Sequence, residues 1–177
     1  MVITLIRHLP TEWNKKKMLQ GRKDIDISDN PKMYQAGIKR NQKYLQEIAP
    51  FEIVLASNLK RTQQTARLYG FDSETEGLLD ELDFGPFEGV PREKLFEKYG
   101  DKWVENPREI ILGESIANLE YRIVSFLDKY QGYSNILVFG HGSWMRAILS
   151  YYQQGDINKM NKIAVQNNEC ITLRFND

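Results

Sequence analysis

Apolar residues along this chain fall into short runs, separated by polar stretches in which hydrophobic positions recur at helical spacing. The first run, Val2-Ile3-Thr4-Leu5-Ile6, reads as a strand and leads into Arg7-His8. A polar loop follows over residues 9–30, carrying Lys15-Lys16-Lys17 and Arg22-Lys23. Pro31 is placed to open a helix reaching about Ile48, with Met33, Gly37, Tyr44, Leu45 and Ile48 on one face. Residues 52–56 read as a second strand, and Asn58 can cap a helix running to about Tyr69. Residues 75–79 are a weaker strand candidate. Residues 81–113 look like an aromatic loop containing Phe84, Phe87, Phe96, Tyr99 and Trp103, with one short helix near 92–99. From Ser115 to Tyr130 the positions Ile116, Leu119, Ile123, Phe126 and Leu127 predict an amphipathic helix. The run Ile136-Leu137-Val138-Phe139 is a strand leading into Gly140-His141-Gly142, and a helix over 143–151 comes next. Alternation of Ile171, Leu173 and Phe175 with Cys170, Thr172 and Arg174 closes the chain on a strand.

Strands separated by helices predict an α/β protein whose largely parallel sheet is covered on both faces. No repeat, low-complexity tract or internal boundary interrupts the pattern, so residues 1–177 are expected to form one domain. Composition adds little: 41% hydrophobic and 27% charged residues suit a globular chain with a real core. Lys+Arg and Asp+Glu are both 24, which gives no reason to expect nucleic acid or an anionic membrane as partner, so any anion site must be built locally. No apolar stretch approaches the roughly 18 residues of a membrane span. No secretion signal precedes the first strand, and a single cysteine excludes an internal disulfide; both are compatible with the cytoplasm. Oligomeric state is not legible.

The chain has two histidines, His8 and His141, and each ends an apolar run. In α/β proteins ligands gather at the carboxyl ends of the strands, so two such histidines can share one site. Arg7 precedes the first, and Arg61 stands one turn into the helix after the second strand, near the same sheet edge. Paired guanidiniums suit the oxygens of a phosphate. The His141 loop opens a helix, so the amides of Gly142 and Ser143 can face an anion with the helix dipole behind them. A neutral imidazole is a capable nucleophile towards phosphorus, and neighbouring arginines help to keep it neutral.

The segment Leu5-Ile6-Arg7-His8-Leu9-Pro10-Thr11-Glu12-Trp13-Asn14 resembles the opening motif of the histidine phosphatase (phosphoglycerate mutase-like) superfamily. Residues 57–66 resemble its second-arginine helix, and Glu81-Leu82-Asp83-Phe84-Gly85-Pro86-Phe87-Glu88-Gly89 its acid segment. Gly113-Glu114-Ser115 and Gly140-His141-Gly142 resemble its last two motifs, so the likeness spans essentially the whole chain in the family's order. The resemblance implies a three-layer α/β/α sandwich around a mixed, mainly parallel sheet. It implies that His8 is phosphorylated, that Arg7, Arg61 and His141 hold the phosphoryl oxygens, and that Asn14 assists. Glu81 matches the proton donor to the leaving alcohol and activator of the hydrolytic water, while Thr11, Gln20 and Gly21 match substrate-contacting positions. No cofactor or metal is implied, because two arginines can neutralise the charge that a divalent cation neutralises elsewhere.

One departure follows His8, where the family has glycine and this chain has Leu9-Pro10. Proline confines its predecessor to extended conformations, and Leu9 is expected to add an apolar group beside the nucleophile and alter substrate fit. Cys170 lacks an arginine at the spacing a cysteine phosphatase needs, and reads as structural. A zinc site of His8, His141 and Glu81 is disfavoured by the arginines beside it. The lysine triplet reads as a solvated loop, Trp13 and Trp144 as packing residues, and the aromatics of 84–103 as either loop packing or pocket wall. The expected activity is hydrolysis of a small phosphorylated metabolite. The alternatives are a phosphoglycerate mutase and a non-catalytic phospho-ligand module. Mutases of the family are longer and place arginine after the catalytic glutamate, where this chain has Leu82; an intact Glu81 argues against the binding module.

Overall fold

A computed structural model of the protein describes residues 1–29 and 31–175; Asn30, the last residue of the expected polar loop, lies outside the described residues. Five strands form a single mixed sheet: β1 (Val2–Arg7), β2 (Ile53–Ala56), β3 (Glu74–Thr75), β4 (Asn135–Gly140) and β5 (Cys170–Arg174), in the order β3-β2-β4-β1-β5. β1, β2, β3 and β4 run parallel, and β5 closes one edge antiparallel to β1. Successive side chains of a strand point to opposite faces, and here both faces are apolar. Ile3, Leu5, Leu55, Ile136 and Val138 face one layer, formed by the helices α6 (Ile116–Tyr130) and α7 (Gly142–Gln154). Ile6, Ala56, Leu137 and Phe139 face the other, formed by α2 (Gln35–Ile48) and α3 (Lys60–Leu68). This is the three-layer sandwich expected.

Local chemistry accounts for where elements begin. Ser115 caps α6 by accepting from the Asn118 amide at 3.0 Å, and burial of Ile116, Leu119, Ile123 and Phe126 follows the 3.6-residue period. Trp144 of α7 is fully buried, edge-on to Phe126 with ring centroids 5.3 Å apart, and its indole donates to the Leu78 carbonyl at 2.8 Å. Some expectations fail for physical reasons. Pro31 opens a 3₁₀ turn, Pro31–Tyr34, before α2 begins, and Met33 is 82% exposed; Ile38 and Leu45 carry the buried face. Asn58 does not cap α3. Its amide donates to the Asp80 carboxylate at 2.8 Å, so the residue ties the strand end to the acid segment. The weak strand shortens to β3, and Gly77–Leu79 turns as 3₁₀ helix. The short helix expected near 92–99 is present as α4 (Glu93–Tyr99), while α1 (Glu12–Lys15) in the polar loop and α5 (Asp101–Glu105) in the aromatic loop were not expected.

Candidate active site

Strand register brings the two histidines together. Arg7 at the end of β1 lies opposite Gly140 at the end of β4, so both chains release a histidine at the same level of the sheet. The His8 amide donates to the Gly140 carbonyl at 3.0 Å, and the two imidazole centroids lie 5.4 Å apart. β2 ends with Ala56 opposite Phe139, which delivers Ser57 beside His141, its Oγ 2.6 Å from Nε2.

His8 is 2% exposed and His141 fully buried. The His8 Nδ1 lies 2.6 Å from the Leu9 carbonyl oxygen, which can only accept, so Nδ1 carries the proton and Nε2 keeps its lone pair. Burial, and then the charges of Arg61 and Arg7, hold the His8 pKa well below its ordinary value; burial and Arg61 do the same for His141. Both rings are therefore neutral at neutral pH.

The two arginines are fixed by neutral oxygens. Arg61 donates to the carbonyls of Lys23 and Gly21, each at 2.7 Å, and Arg7 donates to the Val165 carbonyl. Carbonyls orient a guanidinium without cancelling its charge, and burial lowers both pKa values to about 10. Three buried nitrogens of this cluster, Arg7 Nε, Arg61 Nε and His141 Nδ1, have no hydrogen-bond partner among the described residues. Gly142 makes the close packing possible, since a Cβ there would stand 3.2 Å from the Arg7 guanidinium carbon.

Glu81 enters from the segment after the 3₁₀ turn. Its Oε2 accepts from the Ser143 amide at 3.0 Å, and its Oε1 accepts from the amides of Trp144 at 3.1 Å and Leu82 at 2.8 Å. The Ser143 amide, expected to face a bound anion, is thus engaged by this carboxylate. Arg22 donates to the Glu81 carbonyl at 2.6 Å, and Arg122 anchors Glu114, whose Oε1 accepts from the Asp83 amide at 3.2 Å. The acid segment is pinned on both sides.

A cavity of about 600 Å³ opens here, and Arg7, His8, Asn14, Gln20, Gly21, Arg61, Glu81, Gly142 and Ser143 all line it. His141 does not line it: fully buried, its ring lies 5.4 Å from that of His8, centroid to centroid. Thr11 does not reach the cavity: it is buried, caps α1, and donates to Gln20 Oε1 at 2.7 Å, holding its neighbours in place. Leu9 also departs from expectation. Its side chain is 2% exposed and packs with Ile6, Ile38 and Leu45, away from the cavity, so it cannot alter substrate fit directly. The aromatics divide: Phe84, Phe96 and Trp103 line the cavity, while Phe87 packs on Tyr99 with centroids 6.2 Å apart. Cys170 is a half-buried free thiol, its pKa raised by burial to about 11.

Sequence reasoning missed Ser57, Asn167 and Arg146. Asn167 donates to the His8 carbonyl at 3.0 Å from a loop with no helical or strand pattern, so nothing in the sequence marks it. Arg146 also lines the cavity, and its place on α7, three residues after Ser143, is a legible signal.

Comparison with known proteins agrees with this geometry. The family model described as histidine phosphatase superfamily (branch 1) matches residues 3–177. Phosphoserine phosphatase 1 of Hydrogenobacter thermophilus is 29% identical over 171 residues, covering 89% of this chain and 78% of that protein. A 2,3-bisphosphoglycerate-dependent phosphoglycerate mutase of Buchnera aphidicola is 23% identical, covering 99% and 94% of the two chains. The solved structure of the α-ribazole phosphatase from Shigella flexneri has the same fold, with a TM-score of 0.79 at 23% identity over 99% of this chain and 91% of that one. This chain belongs to the histidine phosphatase superfamily, a family of phosphatases and mutases.

Proposed function

We propose that this protein is a phosphomonoesterase that hydrolyses small phosphorylated metabolites through a phosphohistidine at His8. The observation that carries this reading is the neutral His8 imidazole at a cavity lined also by Arg7, Arg61 and Glu81. Guanidiniums held by carbonyls keep their charge, and a phosphoryl group supplies both acceptors and compensating charge. The His8 Nε2 lone pair attacks phosphorus as the ester P–O bond breaks. Glu81 gives a proton to the departing alkoxide, then takes one from the water that attacks the phosphohistidine, returning His8 and releasing phosphate. Its Oε2 accepts from a single amide, which leaves room for that proton. Two arginines neutralise the phosphoryl charge, so the reaction needs no metal or other cofactor. Leu82, fully buried after Glu81, stands where the family's mutases place an arginine, which favours net hydrolysis over isomerisation.

We place the protein in the cytoplasm, with a small phosphorylated substrate as its partner and no role for nucleic acid or membrane. A free cysteine supports this, and among the described residues no helix is long and apolar enough to cross a membrane. Rapid-quench trapping with labelled substrate tests the mechanism: acid-labile phosphate mapping to His8 is expected, and label on a serine, an aspartate or Cys170 would refute it.

A further inference from the structure

Gly21, Arg22 and Lys23 touch both halves of the site. The carbonyls of Gly21 and Lys23 hold Arg61, each at 2.7 Å, while the side chain between them turns to the acid segment. Arg22 Nε donates to the Glu81 carbonyl at 2.6 Å, and the Arg22 amide donates to Glu88 Oε1, also at 2.6 Å. Turn and segment are in close contact. A Cβ on Gly21, whose φ is +55°, would stand 2.2 Å from Glu88 Oε1 and 3.0 Å from the Leu82 carbonyl oxygen.

The main chain of the acid segment is gripped at two consecutive carbonyls. Arg122 Nη1 donates to that of Asp80 at 2.7 Å and Arg22 to that of Glu81, and the two guanidiniums flank Glu114 Oε1 at 2.6 and 3.7 Å. The two arginines are not equivalent. Arg122 is buried and also donates to the Leu78 carbonyl at 2.9 Å, so it serves the fold. Arg22 is half-buried, and its ion contacts, 3.6 Å to Asp80 and 3.7 Å to Glu114, are long. Both carboxylates are held without it, Asp80 by the Asn58 amide and Glu114 by Arg122. Ion pairs of this kind add little stability, which leaves the short bond to the Glu81 carbonyl as the contact through which Arg22 acts.

We infer that Arg22 is a positioning residue for Glu81: from the turn that holds Arg61, it fixes how far the proton donor stands from the phosphoryl clamp. The Glu81 carboxylate takes the amides of Leu82, Ser143 and Trp144, so its place depends on where its own main chain lies against the start of α7. Proton transfer to a leaving oxygen requires hydrogen-bond reach, and a small displacement of the donor weakens it while leaving attack on phosphorus intact. This inference rests on the hydrolase reading above.

Arg22→Met tests it, since it keeps the apolar stem and removes the donors. Rapid quench follows the first-turnover phosphorylation of His8 by an alkyl phosphate and by an activated aryl phosphate. A hydrogen bond from a charged group is worth about tenfold or more, so the alkyl rate should fall by about that factor and the aryl rate much less. Arg22→Lys, which keeps a donor, should recover part of the alkyl rate. Equal losses on both substrates would place the effect on Arg61 or on the fold and overturn the inference, as would no loss on either. Amide spectra give a readout that needs no turnover. The Ser143 and Trp144 amides donate to the Glu81 carboxylate, so Arg22→Met should shift both signals and Arg22→Lys should shift them less. Signals left at their wild-type positions overturn the inference. If no substrate phosphorylates His8 in the wild type, the hydrolase reading fails by itself, and these two amide signals decide whether Arg22 positions Glu81.

Discussion

The protonation state of His8 is set by burial, one carbonyl and two cations. The Leu9 carbonyl holds the proton on Nδ1, and burial beside Arg61 and Arg7 keeps the ring from taking a second. Because the chain contains only two histidines, ring nitrogen spectra are unambiguous. Both imidazoles should stay neutral as pH falls through 6.5, with His8 as the Nδ1–H tautomer; a midpoint near 6.5 for either would contradict the site described. Glu81 yields a second prediction. Proton donation contributes about a hundred- to ten-thousand-fold in rate and matters most for poor leaving groups. Glu81→Gln should therefore cripple phosphorylation of His8 by an alkyl phosphate in the first turnover and spare transfer from an activated aryl phosphate. Equal losses for both would assign Glu81 a structural or electrostatic role. At this scale the sequence was most readable, because charged chemistry concentrates in the motif residues. It misled at Leu9 because nothing local shows whether an apolar side chain beside His8 faces the cavity or the core.

Among the elements, α7 links packing to the site. It starts where β4 ends, buries Trp144 against Phe126, and offers its first amides to Glu81. A Cβ on its first residue, Gly142, would stand 3.2 Å from the Arg7 guanidinium carbon, so a side chain there requires Arg7 to shift. Gly142→Ala should displace that guanidinium and lower kcat/KM on all substrates, while the fold survives with a stability loss of about 1–3 kcal/mol from overpacking. Wild-type activity in that variant would show that Arg7 need not sit where it does. Glu81→Gln should also cost about 1 kcal/mol of stability, since it weakens the cap of α7. Strands and long helices were legible because their hydrophobic periods are regular. The residues 81–113 were less so: α5 and the 3₁₀ turns are too short to show a period, and their place is set by contacts such as Trp103 with Asn161.

For the molecule as a whole, the site opposes stability. Buried neutral histidines with pKa values below 6.5 let the unfolded chain bind protons that the folded chain refuses. Their contribution is complete above about pH 6.5 and is lost as pH falls below it. Urea midpoints should decline from pH 7 to pH 5, and inorganic phosphate should raise the melting temperature at pH 7 where chloride at equal ionic strength does not. A ligand at about a hundred times its Kd adds about 2.7 kcal/mol. No shift with phosphate would count against an anion site. The sandwich was predictable from the order of elements, whereas the strand order and the antiparallel closure by β5 depend on long-range pairing that no local pattern encodes. That pairing has a consequence for synthesis. β1 leaves the ribosome first, but its parallel partner β4 is encoded some 130 residues later, at Asn135–Gly140, and His141 later still. At about 5–20 residues per second, His8 and His141 stay apart for several seconds while most of the chain is made. A nascent chain that stalls between residues 81 and 135 thus holds His8, Arg61 and Glu81 but lacks β4, the strand that stands between β1 and β2.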